Sequence, residues 1–138
     1  MKQLARFSVS IDSVLLKRFD NFVNKHEYTN RSEAFRDIIR DKLIQEEWET
    51  EEIETIGTLT IIYNHHQHNL QDNLTSHQHQ YHHLIISTMH VHLDHDNCLE
   101  VMVIKGNAKK IKSFADELIS TKGVKHGKLV MTSSGKNL

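Results

Sequence analysis

Proline is absent from all 138 residues, cysteine occurs once, and glycine occurs only five times. Without proline there is no stiff polyproline spacer between parts of the chain. With Cys98 as the single cysteine, no intrachain disulfide can form, and its thiol stays free for chemistry or metal. The glycines make no G-x-G-x-x-G and no P-loop, and "GNAKKIK" (106–112) lacks the glycines that cradle a phosphate. No apolar run reaches the roughly 18 residues of a membrane span. The opening "MKQLARFSVS" lacks the apolar core of a secretory signal. A cytoplasmic protein with no membrane partner is therefore the expectation. Basic residues are missing as well: no Lys or Arg stands between Lys42 and Lys105.

Histidine fills that gap. Of 12 histidines, all but His26 and His126 fall between His65 and His95. They lie in segments with clear periodicity, unlike an appended tag. Charge is just as uneven. Residues 1–45 carry a net +3, residues 46–57 a net −6 from glutamates alone, and residues 58–138 a net +2. A basic head, an acidic connection and a histidine-rich body predict two modules. The expected division is a head over 1–46, an acidic linker over 47–57, a body over 58–133 and a tail over 134–138.

In the head, "LARFSVSI" alternates. Ala5, Phe7, Val9 and Ile11 face one way, and Arg6, Ser8 and Ser10 the other, as in a strand with one buried face. The period then changes. Leu15, Phe19, Phe22 and Val23 recur at helical spacing over 13–25, with Ser10 or Asp12 as cap. Asn30 caps a second helix, Glu33 follows three residues later, and Ala34, Phe35, Ile38, Ile39 and Leu43 form its apolar stripe. About 45 residues rarely make a core alone, and a lone apolar-faced strand is an aggregation hazard. A second copy solves both problems: two strands pair antiparallel across a twofold axis over four helices. That is a ribbon–helix–helix arrangement, which puts a β-ribbon in the DNA major groove. Arg6, Ser8 and Ser10 then meet base edges. Asn30, Arg31 and Ser32 offer a helix N-terminus to phosphate.

The body reads as βαββαβ, the split βαβ or ferredoxin-like pattern within an α+β fold. Its expected strands are 58–63, 84–93, 98–106 and 124–131. A weakly helical stretch precedes "LIISTMHVHL" (84–93), and Asn107 caps a helix that Gly123 stops. On a strand, His90 and His92 share a face. The turn "DHDN" (94–97) returns the chain, so Cys98 comes opposite the end of the first strand, near His92. Two imidazoles and a thiolate thus meet at one hairpin end. This donor set suits Zn, Cu, Ni or Co, not Mg or Ca. A further ligand is available in "HQHQYHH" (77–83), where spacing does not choose among His77, His79, His82 and His83.

Head and body together resemble the nickel-responsive ribbon–helix–helix regulators of the NikR family. The segments "RFSVSI", "NRSEAFRDIIR", "HVHLDHDNCLEVMVIKG" and "GVKHGKL" carry the resemblance, which runs from about Leu4 to Thr132. It implies a body of ACT type that forms a tetramer core, a dimer of dimers. It implies one square-planar Ni(II) per subunit, held by His90, His92 and Cys98 of one subunit and His79 of a neighbour. Tyr63, His65, Gln78 and Glu100 match family positions around that site, where hydrogen bonds orient ligands. Arg6, Ser8 and Ser10 match the base-reading strand, although relatives often carry threonine there. Glu33 and Asp37 match acidic positions of a structural cation. His66, His68, His77, His82, His83 and His95 are candidates for further, weaker metal binding. The resemblance also implies a double-stranded operator with two half-sites, and repression of nickel-uptake genes.

Two other classes compete. "HVHLDH" matches a metallo-hydrolase motif, but such enzymes need more His and Asp ligands downstream, and after His95 only His126 remains. A histidine-rich nickel store or chaperone would bind many ions weakly and read no DNA sequence. Within the regulator reading, Cu, Co or Zn are alternative metals. Cu(II) binds such sites more tightly than Ni(II), so availability in the cell would decide.

Overall fold

Asp12 starts the first helix. Its side-chain carboxylate accepts from the backbone N–H of Val14 at 3.0 Å and of Leu15 at 2.9 Å, capping α1 (Ser13–Lys25). Of the two expected caps, Asp12 takes the role. Asn30 does the same for α2 (Arg31–Thr50), accepting from Glu33 N–H at 2.9 Å. The computed structural model describes residues 2–67 and 69–138. The chain divides into two units, residues 1–41 and 42–138.

In the first unit, Phe35 gathers the aromatic contacts. Its ring lies 5.8 Å from Phe7 and 5.8 Å from Phe19, both edge-on. Val23 and Ala34 are buried, but Leu4 is 75% and Phe7 72% exposed. Val9, Ile11, Val14, Leu15, Ile38 and Ile39 are exposed too. Leu4, Phe7, Val9, Ile11, Phe19 and Phe35 line an open groove of about 710 Å³. Here the structure departs from the sequence reading: residues 4–11 form no strand in the single chain. A strand is defined by ladder hydrogen bonds, and this segment has no second strand in its own unit to bond with.

The second unit is a four-stranded antiparallel sheet with two helices on one face. Its elements are β1 (Glu54–Asn64), α3 (Leu70–Gln80), β2 (Ile85–His92), β3 (Asn97–Asn107), α4 (Ala108–Ile119) and β4 (Val124–Thr132). The strand order is β2-β3-β1-β4. This is the α+β, split βαβ arrangement read from the sequence, with each strand within a few residues of its expected span. Along β1 and β3 burial alternates residue by residue. Leu59, Ile61, Tyr63, Cys98, Met102 and Ile104 point into the core, where Ile111, Phe114, Ala115 and Leu118 of α4 meet them. Asn107 caps α4 by accepting from Lys110 N–H at 2.9 Å. Gly123 adopts φ +100° in the turn to β4, a backbone that side chains rarely tolerate.

The acidic linker over 47–57 is corrected. α2 runs on to Thr50, β1 already begins at Glu54, and only 51–53 lie outside both. Trp48 is 2% exposed in the second unit's core, and its indole N–H donates to the Thr132 carbonyl at 2.8 Å. Thr55 Oγ1 donates to the same carbonyl at 2.7 Å. The glutamates dominate the composition of this stretch, but Trp48, Thr55 and Gly57 are its buried positions and fix its structure.

Candidate metal centre

The β2–β3 register brings the candidate ligands together. His92 pairs with Cys98 and His90 with Glu100, so both imidazoles share the core face of Cys98 and Glu100. β2 is an edge strand, which leaves His90 and His92 exposed while Cys98 is fully buried. Asp94 shapes the turn between them. Its carboxylate accepts from the Asn97 side chain at 3.0 and 3.1 Å and from the backbone N–H groups of Asp96 and Asn97 at 2.9 and 2.8 Å. Those bonds, the Asn97 side chain foremost, lower its pKa to about 2.

Cys98 Sγ lies 3.3 Å from His92 Nδ1 and 3.3 Å from His65 Nδ1. His65, His92 and Cys98 form a group whose ligand atoms lie within 4.8 Å of one another. Burial pushes the Cys98 thiol up, with the Asp94 and Glu100 charges adding to it. His65 is lowered, first by desolvation and then by His66, His92 and His95, against Asp96. His90 stands beside this group. Its ring is 5.1 Å from that of His92, and its Nδ1 is 3.3 Å from the Tyr63 hydroxyl.

The supporting residues form one network. Buried Glu100 accepts from the Tyr63 hydroxyl at 3.4 Å and from Gln78 Nε2 at 2.7 Å. Burial, followed by the Glu100 and Cys98 charges, raises the Tyr63 hydroxyl well above the ordinary tyrosine range. Gln78 ties α3 to β3, and the next residue, His79, is exposed. Among the described residues, neither His79 nor His90 belongs to a three-ligand group within the single chain. His65 is the neighbour of Cys98 that sequence reading placed only nearby. The buried phase Leu59, Ile61, Tyr63 continues to His65, and Tyr63 pairs with Cys98. That phase was the available signal. The donor set present, a buried thiol with imidazoles at 3.3 Å, fits a borderline transition ion such as nickel.

The other candidates are scattered. Arg6, Ser8, Ser10, Asn30, Arg31 and Ser32 are all exposed. Asn30 is engaged as the α2 cap, and Arg31 forks to Asp20 at 2.7 and 2.9 Å. Glu33 pairs with Arg36, and Asp37 accepts from the Tyr28 hydroxyl at 2.5 Å. Among the further histidines, His77 lies 3.5 Å from Glu117 and His82 lies 3.1 Å from the His79 carbonyl. His68 lies outside the described residues.

Comparison with known proteins agrees with both units. Residues 56–132 match the NikR C terminal nickel binding domain, and residues 5–46 match the ribbon-helix-helix protein, copG family. A protein of Caldanaerobacter subterraneus subsp. tengcongensis, named "Putative nickel-responsive regulator", is 55% identical over 138 residues, covering 100% of this chain and 90% of that protein. One of the same name from Pyrococcus horikoshii is 57% identical over 136 residues, covering 99% of each. Among solved structures, an uncharacterized protein from Thermotoga maritima matches with a TM-score of 0.53 at 16% identity, covering 57% of this chain and 98% of that one. At that identity the likeness speaks for the fold alone.

Proposed function

The chain belongs to the NikR family of nickel-responsive ribbon–helix–helix regulators, and on that premise we propose that it is a cytoplasmic homotetramer whose nickel-bound form represses nickel-uptake genes. It is a DNA-binding regulator and not an enzyme. The observation that carries the proposal is the buried Cys98 thiol beside imidazoles in a chain whose other module is a DNA-reading one.

The residues that would hold the ion, one per subunit, are His90, His92 and Cys98 with His79 of a neighbouring subunit. The ion supplies a coordinate bond between two chains. The rest belongs to the side chains. Glu100 and Gln78 fasten α3 against β3. That leaves His79, one residue on, directed to solvent where a second chain can meet it. Tyr63 holds one nitrogen of His90, which fixes the ring and frees the other nitrogen. Joining α3 of one subunit to the hairpin of the next narrows the spacings open to the DNA heads, and two half-sites select one spacing. Metal shifts this equilibrium only by its differential affinity for the operator-competent state. The direct test is binding to duplexes selected with nickel. Tight binding is expected with Ni(II) and weak binding without, and equal affinity in both overturns the proposal.

Two substitutions sharpen it. Arg6→Ala is expected to weaken operator binding roughly 10- to 100-fold, the worth of one good base contact, with nickel uptake unchanged. Loss of nickel uptake together with unaltered DNA binding would favour a storage protein. His79→Ala is expected to cost more nickel affinity than His65→Ala, as measured by competition with a chelator. The reverse order would make His65 the ligand, and the site intrachain.

A further inference from the structure

Two exposed turns meet at the end of the sheet. The β1–β3 ladder ends at Asn64 opposite Asn97. One step beyond, His65 N–H donates to the Asp96 carbonyl at 3.2 Å, which locks the turn after β1 to the β2–β3 turn. Asn64 Oδ1 accepts from His66 N–H at 2.9 Å, and Asp94 braces the other turn. The side chains displayed there are His66, His95 and Asp96. Their ligand atoms lie within 4.8 Å of one another, and the group shares no residue with that of His65, His92 and Cys98.

We propose that His66, His95 and Asp96 form a second metal site, which takes a first-row divalent transition ion such as Zn(II), Ni(II) or Cu(II). Two imidazoles and a carboxylate are a donor set these ions favour, and three protein ligands leave room for water. The site is partly assembled. His66 Nε2 lies 2.9 Å from the His95 carbonyl oxygen and 3.7 Å from Asp96 Oδ1. The His66 and His95 rings are 5.0 Å apart. None of the three side chains serves the core, since all are exposed. Ordinary solvated turn residues need not converge, and these converge from two turns fixed by backbone hydrogen bonds. The side chains of His66 and Asp96 are 49% and 57% exposed, and sulfur is missing, so this site is weaker than one built on Cys98. It fills at metal levels above those that saturate the thiol site. The His65 and His66 rings are 3.9 Å apart, so the two groups are adjacent.

Thiolate tells the two sites apart. A sulfur-to-nickel charge-transfer band reports Cys98, while equilibrium dialysis counts every ion bound. In the full-length protein titrated with Ni(II), binding is expected to continue after the band saturates. In the double variant His66→Gln/His95→Gln the dialysis count should fall by one ion per chain with the band unchanged. Asp96→Asn should weaken that ion on the order of tenfold. A control variant, His82→Gln/His83→Gln, should keep the ion that His66→Gln/His95→Gln loses. The proposal is overturned if the His66/His95 variant retains the wild-type count, or if wild-type protein takes up nothing beyond band saturation. Failure of the thiol site would look different: the band would not form, while the count would still depend on His66 and His95.

Discussion

Cys98→Ser is expected to lower nickel affinity by a hundredfold or more and to abolish the nickel dependence of operator binding. Loss of a mere supporting partner costs roughly 10- to 100-fold, and removal of a ligand atom should exceed that. Serine keeps the shape and loses the chemistry, because a hydroxyl stays protonated where a thiol can yield the soft thiolate that borderline ions prefer. The fold should survive. Cys98 is fully buried, and burying an unpaired hydroxyl costs roughly 1–3 kcal/mol in proteins. Here the His65 and His92 nitrogens, 3.3 Å from the sulfur, stand ready as partners, which points to the low end. Chelator competition gives the affinity, and a DNA-binding titration with and without nickel gives the response. A serine variant that binds nickel within tenfold of wild type and still responds on DNA would remove Cys98 from the centre of the mechanism.

How much of this was legible in the sequence varies by element. β2 and β3 were readable because a period of two and a tight turn are local signals. The inferred meeting of His92 and Cys98 is the observed register. His65 was harder. Its position against Cys98 depends on β1 lying beside β3, a pairing between segments more than 30 residues apart that periodicity does not reveal. The segment 4–11 shows the opposite limit. Its alternation reads as a strand, yet the single chain leaves Leu4, Phe7, Val9 and Ile11 exposed and unpaired in any ladder. A ribbon made by two copies cannot appear in one. Residues 47–57 misled because charge is conspicuous and one tryptophan is not. Five glutamates look like a solvated linker, while Trp48 anchors the stretch in the core.

The missing cations of the opening reading have a physical use. From Lys42 to Lys105 the chain contributes no ammonium or guanidinium group to β1, α3 or β2. A divalent ion therefore meets no fixed cation from these elements. Lys125, whose charge acts on Asp94, is itself held by Asn97 Oδ1 at 2.6 Å.

Phe114→Ala should be the most destabilising single truncation of the second unit, by about 3–5 kcal/mol. Phe114 is fully buried on α4, and its ring centroid is 5.0 Å from that of Tyr81. Tyr81 closes α3: its backbone N–H donates to the His77 carbonyl at 3.2 Å and its hydroxyl to Glu117 at 2.7 Å. Removing the ring opens a cavity under the helix that carries Gln78 and His79, so the loss should reach the metal site as well as the core. Phe114→Leu keeps more of the volume and should lose less than half as much. Urea unfolding of the full chain, followed by a signal from the second unit, measures both. An ion that binds only the folded state at a hundredfold its dissociation constant returns about 2.7 kcal/mol. Saturating nickel should therefore recover a large part of the stability lost in Phe114→Ala, and less of it if α3 no longer holds His79 in place. A loss below about 1 kcal/mol, or a variant that nickel stabilises by as much as it stabilises wild type, would break the proposed link between the Phe114–Tyr81 contact and the position of His79.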